Sequence, residues 1–453
     1  MFQDPMPKKI GLSDWSEQFK LVSVEQIKKF TYYHNSEWGI YLSPPATFMV
    51  YGTRELKRLK LDNSFAALRL WGFVFNESER LFRAKQIGKK VIATMGDLGI
   101  VPVIIMAFPD CVPFYPECIW WTPFFKESTV LLDTATQLGI PEATCFSKAT
   151  LGAFYKRAYF PRPDAIFAST GASCDDYSCI MQLVEDLGYE IVWLEIPLRK
   201  GQKAYPNNAS GRLEEYLIGE YQRVWKKMVE LTGISNKNQL IKSIKKANQL
   251  RNLVTSIKNL TYEAPKAPLP GLELMTIEFG NLYGYADIEE WIDILKMIKR
   301  TIEDRIEKGL GVLQEDAIPI AWITPSADPL LLNLVEDAGL RIVQTEYVIN
   351  QALVPIEEDI DPFRALARAF LQASLIGKTS ERVKRIIAGV KEGKIKGVLI
   401  TNMLGASHCA METGLIMRFL SAVPVLAIDV PQPFGITEQL KTRILAFAET
   451  LKH

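Results

Sequence analysis

Short apolar runs alternate with helical patterns in the first half of the chain. The runs lie at Val101–Met106 (VPVIIM), Ala165–Ala168 (AIFA) and Ile191–Ile196 (IVWLEI), and each is bounded by turn residues. Helical patterns lie between them, at Thr150–Tyr159 and Tyr177–Leu187. Continuous apolar strands that alternate with helices are typical of a parallel sheet covered on both faces. This pattern predicts a doubly wound α/β domain.

The same alternation returns towards the C terminus. Four apolar runs predict strands there, at Ile318–Ile323 (IPIAWI), Leu340–Tyr347, Lys396–Met403 and Val423–Val430. Helices are predicted between and after these strands, at Leu330–Ala338, Pro362–Ile376, Ser380–Gly393 and Glu438–Leu451. The stretch between the two halves differs, because it shows helical spacing and no strand-like run. Its predicted helices are Arg212–Leu231, Gln239–Leu260 and Asp287–Gly309, with a break at Glu263–Gly271 (EAPKAPLPG).

These patterns predict four regions. They are an N-terminal extension at 1–85, a first α/β domain at 86–204, a helical middle at 205–311 and a second α/β domain at 312–453. Both α/β domains are expected to be doubly wound parallel sheets of the flavodoxin or Rossmann type. In such folds a ligand binds beyond the carboxyl ends of the strands, where the loops gather.

Composition narrows the class of protein. The chain has 453 residues, 48% of them hydrophobic and 23% charged, which is typical of a globular protein with more than one domain. Its 53 Lys and Arg residues balance 52 Asp and Glu residues. This balance excludes a general electrostatic attraction to nucleic acid or to an anionic membrane. The start (MFQDPMPKKI) lacks a secretory signal pattern, and no apolar run approaches the roughly 18 residues of a membrane span. We therefore expect a cytoplasmic protein.

Sulfur is the most plausible source of reactive chemistry. The six cysteines are too sparse for a disulfide scaffold, and the three histidines leave few candidates for a histidine-based site. The cysteines are Cys111, Cys118, Cys145, Cys174, Cys179 and Cys409, and the histidines are His34, His408 and His453.

Three of the cysteines lie at predicted helix starts. Cys174 follows a strand by a few residues, Cys409 follows the strand that ends near Met403, and Cys145 directly precedes a helix. Helix N-termini favour a thiolate, and loops from two domains can meet in the cleft between them. A single cysteine is more often a small buried apolar residue. Because the spacing contains neither a CxxC pair nor a run of four cysteines, it gives only a weak prediction of a metal site.

Other motifs fail on inspection. The GKT at Gly377–Thr379 resembles the end of a phosphate loop, but Gln372 occupies the required upstream glycine position and a predicted helix precedes it. No G-x-G-x-x-G follows a strand. The aromatic pair Trp120 and Trp121 indicates packing or an interface rather than a base-stacking surface.

A family resemblance joins these segments. From about Phe82 onwards, the chain resembles the component of 2-hydroxyacyl-CoA dehydratases and ATP-dependent benzoyl-CoA reductases that holds an iron–sulfur cluster. Segments resembling the family follow in order: GKKVIATMGDLGIVPVIIM as the opening strand–helix–strand, PEATCFSKATLGAF and IFASTGASCDDYSCIM as cysteine segments, LTGISNKNQLIKSIKKANQLRNL in the helical middle, GVLITNMLGASHCAMETGLIMRFL as the third cysteine segment, and VPVLAIDVPQPFGITEQLKTRILAFAETL as the closing strand–helix.

The resemblance implies a site and partners. Cys145, Cys174 and Cys409 would ligate a [4Fe–4S] cluster between the two α/β domains, and three thiolates leave the fourth iron open to substrate. In the family, a separate ATP-hydrolysing iron–sulfur activator donates one low-potential electron, which passes to an acyl-CoA thioester and forms a ketyl radical anion. A homologous sister subunit completes a heterodimer. His408 would hydrogen-bond a cluster sulfide or donate a proton to a leaving group, although a loop histidine bonded to backbone is the slightly favoured alternative.

The chain also departs from the family. Many relatives have a longer loop, often containing Pro-Glu-Glu, between the opening strand and helix, and Ile92–Val103 is too short to hold it. A related branch binds a double-cubane cluster through six cysteines, but here Glu346 stands where one of those cysteines is expected. Cys111, Cys118 and Cys179 stay unassigned, and Cys179 lies one helical turn past Cys174.

Asp175 is expected to cap the helix that follows Cys174.

Several functional alternatives stay open. The cluster would belong either to a catalytic subunit or to a sister subunit that only relays electrons. The double-cubane enzyme is a further alternative, and so is a cluster-free protein with two α/β lobes that binds a small ligand in its cleft.

Overall fold

The computed structural model describes most of the chain, with gaps. The described residues are 4–26, 56–97, 99–117, 128–172, 174–199, 208–324, 328–347, 353–373, 376–403, 405–406, 411–420, 423–430 and 436–453. The strands are β1 (Lys9–Gly11), β2 (Lys60–Asp62), β3 (Lys90–Met95), β4 (Cys111–Phe114), β5 (Ala165–Gly171), β6 (Ile191–Ile196), β7 (Ile318–Thr324), β8 (Leu340–Tyr347), β9 (Gly397–Met403) and β10 (Val425–Val430).

Helices connect these strands. They are α1 (Leu12–Phe19), α2 (Phe65–Phe75), α3 (Glu77–Gln86), α4 (Val101–Ile105), α5 (Ser128–Gln137), α6 (Ala149–Lys156), α7 (Asp175–Asp186), α8 (Asn208–Thr232), α9 (Lys237–Glu263), α10 (Gly271–Tyr283), α11 (Ile288–Glu307), α12 (Pro329–Asp337), α13 (Pro362–Leu371), α14 (Thr379–Glu392), α15 (Thr413–Phe419) and α16 (Glu438–Thr450). Short 3-10 turns lie at Leu56–Arg58, Phe146–Lys148 and Gly284–Asp287.

Two four-stranded parallel sheets form the α/β domains. The first has the strand order β4-β3-β5-β6 and the second has the order β10-β9-β7-β8. Numbered along the chain within each sheet, both orders are 2-1-3-4. The direction of winding reverses between the first and third strands, so each sheet has its switch point there, between β3 and β5 and between β7 and β9. The predicted fold, two doubly wound α/β domains joined by helices, is confirmed.

One predicted strand is wrong. Val101–Met106 was expected to be a strand, but Val101–Ile105 forms the helix α4. Gly96 (φ 76°) and Gly99 (φ 79°) turn the chain after β3, and Pro102 lies in the first turn of α4, where its missing N–H costs nothing. All five residues of α4 are buried. A short, continuous apolar run shows no periodicity, so its sequence is the same for a fully buried helix and for a fully buried strand.

The helical middle contains one helix that the pattern did not predict. All thirteen residues of α10 are buried, so the helix has no polar face that would give it a helical period. The Trp291 side chain on α11 packs directly against Gly280 and Gly284. A Cβ atom added to Gly280 would lie 2.1 Å from the Trp291 ring, and one added to Gly284 would lie 2.5 Å from it. These glycines therefore let α10 and its following turn approach α11 closely.

The described N-terminal residues pack against the helical middle. β1 and β2 form an antiparallel pair, and α2 contacts α11. The Asp62 carboxylate accepts hydrogen bonds from the Arg305 guanidinium at 2.6 and 3.1 Å, with both side chains buried. The Glu273 carboxylate accepts from the Asp62 backbone N–H at 2.8 Å. Such a buried pair fixes the position of the segment, because separating it leaves an uncompensated charge.

None of the helices in the described part of the chain is long and apolar enough to cross a membrane.

Candidate functional site

The Cys145 loop is built around a buried lysine. Cys145 precedes the 3-10 turn Phe146–Lys148, which leads directly into α6. The Lys148 side chain turns back along the loop, and its ammonium donates to the carbonyl oxygens of Pro141 and Glu142, both at 3.0 Å. Lys148 is only 3% exposed, so these hydrogen bonds replace its hydration. The lysine thereby fixes the shape of the loop that presents Cys145.

The surroundings of the Cys145 sulfur suit a thiolate ligand. Burial raises the pKa of the Cys145 thiol, and the nearby Asp176 carboxylate acts in the same direction. The backbone N–H groups of Phe146 and Ser147 act in the opposite direction and lower that pKa, because they favour the charged thiolate. Hydrogen-bond donors around a buried sulfur are typical of iron–sulfur ligation, in which the metal removes the proton.

Cys174 lies at the start of α7, as the sequence predicted. It occupies the N-cap position in an extended conformation, with φ −164° and ψ 117°. The Ser178 hydroxyl lies 3.2 Å from the backbone carbonyl oxygens of both Cys174 and Ser169 and shares its one hydrogen between them, which ties the helix start to β5. The prediction that Asp175 caps this helix is wrong. Because Cys174 is the N-cap, Asp175 lies inside the first turn and is exposed.

The Cys145 and Cys174 segments lie side by side. The 3-10 turn that follows Cys145 contacts α7, which begins directly after Cys174. Asp176 on the first turn of α7 is close enough to Cys145 to raise its pKa. Two of the three predicted ligand segments therefore converge, although their cysteines are 29 positions apart in the chain.

The second α/β domain meets the first at Cys145. Gly405, just beyond β9, has φ 78°, and a Cβ there would lie 2.4 Å from the Ala143 carbonyl oxygen and 2.7 Å from the Cys145 nitrogen. Met403 and Ala406 form a small buried apolar cluster with Cys145. The end of β9 and the Cys145 loop are thus in direct contact, and only a glycine permits this approach.

Cys409 and His408 lie outside the described residues, and chain connectivity alone limits where Cys409 can be. It lies four positions after Gly405, and four extended residues span at most about 14 Å. Cys174 and Cys409 also follow equivalent strands, since β5 and β9 are each the third strand of a 2-1-3-4 sheet. The described residues alone contain no group of three or more His, Cys, Asp or Glu side chains arranged to hold a metal ion.

A family model matches most of the chain. The model described as "2-hydroxyglutaryl-CoA dehydratase, D-component" matches residues 99–451, a range that includes all three predicted ligand cysteines. The chain belongs to the 2-hydroxyglutaryl-CoA dehydratase D-component family. No curated protein matches it. The predicted family resemblance is confirmed, and with it a dehydratase-type subunit.

The remaining cysteines of this dehydratase-family chain lie elsewhere or are not described. Cys111 begins β4 at the amino end of the first sheet, opposite the edge from which the ligand loops extend, and burial raises its thiol pKa to about 12. Cys179 is exposed on α7. Cys118 lies outside the described residues, as do Trp120 and Trp121.

Two further predictions can be checked against the dehydratase-family structure. Glu346, which stands where a double-cubane ligand was expected, accepts from the Arg382 guanidinium at 2.7 and 2.8 Å. The GKT segment at Gly377–Thr379 follows the helix α13 rather than a strand, as expected for a sequence that is not a phosphate loop.

The sequence did not single out Lys148 or Gly405. The Lys148 ammonium donates to backbone carbonyl oxygens, which every residue has, so no sequence motif marks this interaction. The only feature of the sequence that points to Lys148 is its position three residues after Cys145. Gly405 is one glycine of 28, and its partner lies 260 positions away. Both residues shape the site through backbone atoms rather than through chemistry that a motif would reveal.

Proposed function

We propose that this chain is the [4Fe–4S] subunit of an activator-dependent 2-hydroxyacyl-CoA dehydratase or of a related enzyme of the benzoyl-CoA reductase type. Cys145, Cys174 and Cys409 would ligate the cluster. The observation that supports this most strongly is the contact of Gly405 with the backbone of the Cys145 loop. This contact brings the start of the third cysteine segment to the first, in a family of dehydratase subunits.

The described residues fit such a group. Cys145 is buried next to backbone N–H donors, and Cys174 lies at the start of a helix that contacts the turn after Cys145. Buried apolar side chains at Met403 and Ala406 exclude water from one side of Cys145. A low local dielectric and N–H donors are two means by which proteins set the reduction potential of an iron–sulfur cluster.

The chemistry that such a cluster supplies when bound is one-electron reduction of an acyl-CoA thioester to a ketyl radical anion, from which an unactivated group can leave. The chain's own residues would hold three irons and leave a fourth position for a substrate oxygen. His408, next to Cys409, is the proposed proton donor to the leaving group. An ATP-hydrolysing activator would supply the electron, and a homologous sister subunit would complete the enzyme.

A second candidate function is an electron-relay subunit of the same enzyme. The connection between β3 and α4 spans only residues 96–100, and Pro102 is followed by Val103 and Ile104, which are fully buried. Many relatives have a longer loop here that often contains Pro-Glu-Glu, and this connection is too short to hold it. The absence of that loop's carboxylates favours a subunit that binds a cluster without binding substrate.

Anaerobic reconstitution followed by substrate titration separates the candidates. The catalytic subunit is expected to bind about four iron per chain, and addition of a 2-hydroxyacyl-CoA should change its iron–sulfur absorption and electron paramagnetic resonance spectra. Free coenzyme A is the control. A cluster whose absorption and electron paramagnetic resonance spectra do not change on addition of any acyl-CoA would identify the relay subunit. About eight iron per chain would identify the double-cubane enzyme, and a chain without iron would refute the proposal.

A further inference from the structure

Asn248 and Arg251 lie one turn apart on α9 and bind the segment that follows β8. The Asn248 side chain pairs with the backbone of Ile356, donating to its carbonyl oxygen at 2.7 Å and accepting from its N–H at 2.9 Å. The Arg251 guanidinium donates from Nη1 to the Val354 carbonyl oxygen at 2.6 Å. One turn of α9 therefore holds this segment of the second α/β domain in place.

Arg251 also reaches the first α/β domain. Its Nη2 donates to the Gly99 carbonyl oxygen at 3.0 Å, in the turn between β3 and α4. This turn is itself fixed, because the Gly99 N–H donates to the Tyr115 hydroxyl at 2.9 Å and that hydroxyl donates to the Asp97 carboxylate. A hydrogen bond to Gly99 therefore attaches Arg251 to the body of the first domain.

The geometry of Arg251 suits a connection between two backbones. Its side chain is only 1% exposed, so water does not compete for these hydrogen bonds. A planar guanidinium presents its two Nη groups in fixed directions, and both acceptors are main-chain atoms, which cannot rotate away as a side-chain carboxylate can. One buried cation on α9 thus fixes the turn after β3 relative to the segment after β8.

The same two domains touch again at Cys145. There Met403, Gly405 and Ala406 of the second domain lie against the Cys145 loop of the first. Either contact alone would leave the domains free to pivot, whereas the two together do not. Loss of the Arg251 hydrogen bonds would therefore let the end of β9 move against the Cys145 loop.

We propose that Arg251 is a positioning residue that fixes the contact between the two α/β domains at Cys145. The inference rests on the proposed function for its purpose, which is to keep water away from a cluster ligand. The packing around Cys145 is nevertheless a property of the polypeptide, so it can be measured without iron.

The test is the rate at which iodoacetamide alkylates Cys145 in the full-length, metal-stripped chain, measured by mass spectrometry. Exposed Cys179 is the internal reference, and buried Cys111 in β4 reports unfolding of the first domain. In Arg251→Met, Cys145 should react about tenfold faster relative to Cys179 while Cys111 is unchanged, because the loss of two hydrogen bonds favours opening of the domain contact. Arg251→Lys, whose ammonium can keep one of the two carbonyls, should fall between this variant and the wild type.

The matched control is Arg341→Met. Arg341 on β8 is also buried and also donates to backbone carbonyls, those of Thr261, Ala264 and Pro265. None of these three partners belongs to the first domain, so the control should leave the alkylation rate of Cys145 unchanged.

An unchanged Cys145 rate in Arg251→Met would overturn the inference, and so would an equal acceleration at Cys145 and Cys111. If Arg251→Met does not fold, Asn248→Ala decides the question. That variant frees Ile356 from α9 and should accelerate alkylation of Cys145 by a smaller factor, whereas an unchanged rate would again overturn the inference.

Reconstituted protein gives a second readout. In Arg251→Met the cluster should have a higher reduction potential than in Arg341→Met, because water admitted beside Cys145 stabilises the additional negative charge of the reduced cluster. Equal potentials in the two variants would contradict the inference. If the wild-type chain binds no iron, the proposed function fails, and the alkylation rates still decide whether Arg251 fixes the domain contact.

Discussion

Lys148 is a buried cation whose partners are two backbone carbonyls. Lys148→Met would leave the carbonyl oxygens of Pro141 and Glu142 without their donor, at a cost of about 1–3 kcal/mol. We expect the loop before Cys145 to loosen and the iron content after reconstitution to fall below about half of the wild-type value. Lys156→Met, at an exposed position on α6, is the matched control. Equal iron content in both variants would show that Lys148 does not shape the site.

Asp97 is a second residue with a measurable signature. Burial raises its pKa to about 6, although the Tyr115 hydroxyl and backbone N–H groups of Ile100 and Val101 bond its carboxylate. Between about pH 4 and pH 6 the folded state therefore binds more protons here than the unfolded state. The contribution of Asp97 to stability is fully present below pH 4 and is lost as the pH rises to 6.

Asp97→Asn removes this titration. Relative to the variant, the wild type should lose about 3 kcal/mol of unfolding free energy between pH 4 and pH 7. Denaturant unfolding of both chains across this range measures the difference. A difference that does not vary with pH would mean that Asp97 titrates like an exposed carboxylate.

At the scale of single residues, the sequence identified those that have a chemical signature. Cys174 at a helix start followed from its position after an apolar run. Lys148 could not be found this way, because its partners are main-chain atoms. Asp175 shows the limit of a propensity rule. Aspartate is a favoured N-cap, but here the helix begins one residue earlier at Cys174.

Among the connecting elements, the turn at Gly405 makes the most specific prediction. Gly405→Ala introduces a Cβ that would lie 2.4 Å from the Ala143 carbonyl oxygen, so the turn after β9 must move away from the Cys145 loop. We expect loss of the cluster together with a lower free energy of unfolding. The chain offers a control in Gly339→Ala, since Gly339 also has a positive φ of 85° and no atom within 4 Å of its added Cβ.

The two alanine variants share the cost of a left-handed backbone, about 1–2 kcal/mol. Only Gly405→Ala separates the two domains at Cys145. If both variants retained the same iron content after reconstitution, the contact between these segments would not be required for the site.

Most elements with a clear period were predictable from the sequence, and uniformly apolar ones were not. β7 to β10, α12, α14 and α16 were found close to their actual bounds, whereas α13 ends at Leu371 rather than at the predicted Ile376 and α15 was not predicted. α4 was mistaken for a strand and α10 was missed. Both are buried on every side, so neither shows the polar face that distinguishes a helix period from a strand period.

At the scale of the whole molecule, the two four-stranded sheets share one topology, and their third strands lead to two of the proposed ligands. The apolar pattern predicted both sheets, but only the family resemblance indicated which loops meet, since the contact between Gly405 and Cys145 depends on how the domains pack. One continuous apolar core extends from the N-terminal residues through the helical middle into the second sheet. A separate small apolar cluster of Cys145, Met403 and Ala406 joins the Cys145 loop to the end of β9.

The measurement that addresses this arrangement most directly is iron and acid-labile sulfide content in a series of cysteine variants, each reconstituted anaerobically. Cys145→Ala, Cys174→Ala and Cys409→Ala should each lose most of the roughly four iron bound by the wild type. Cys111→Ala, at the opposite edge of the first sheet, should retain them. Retention of the full iron content in Cys145→Ala or Cys409→Ala would contradict a cluster held jointly by the two α/β domains.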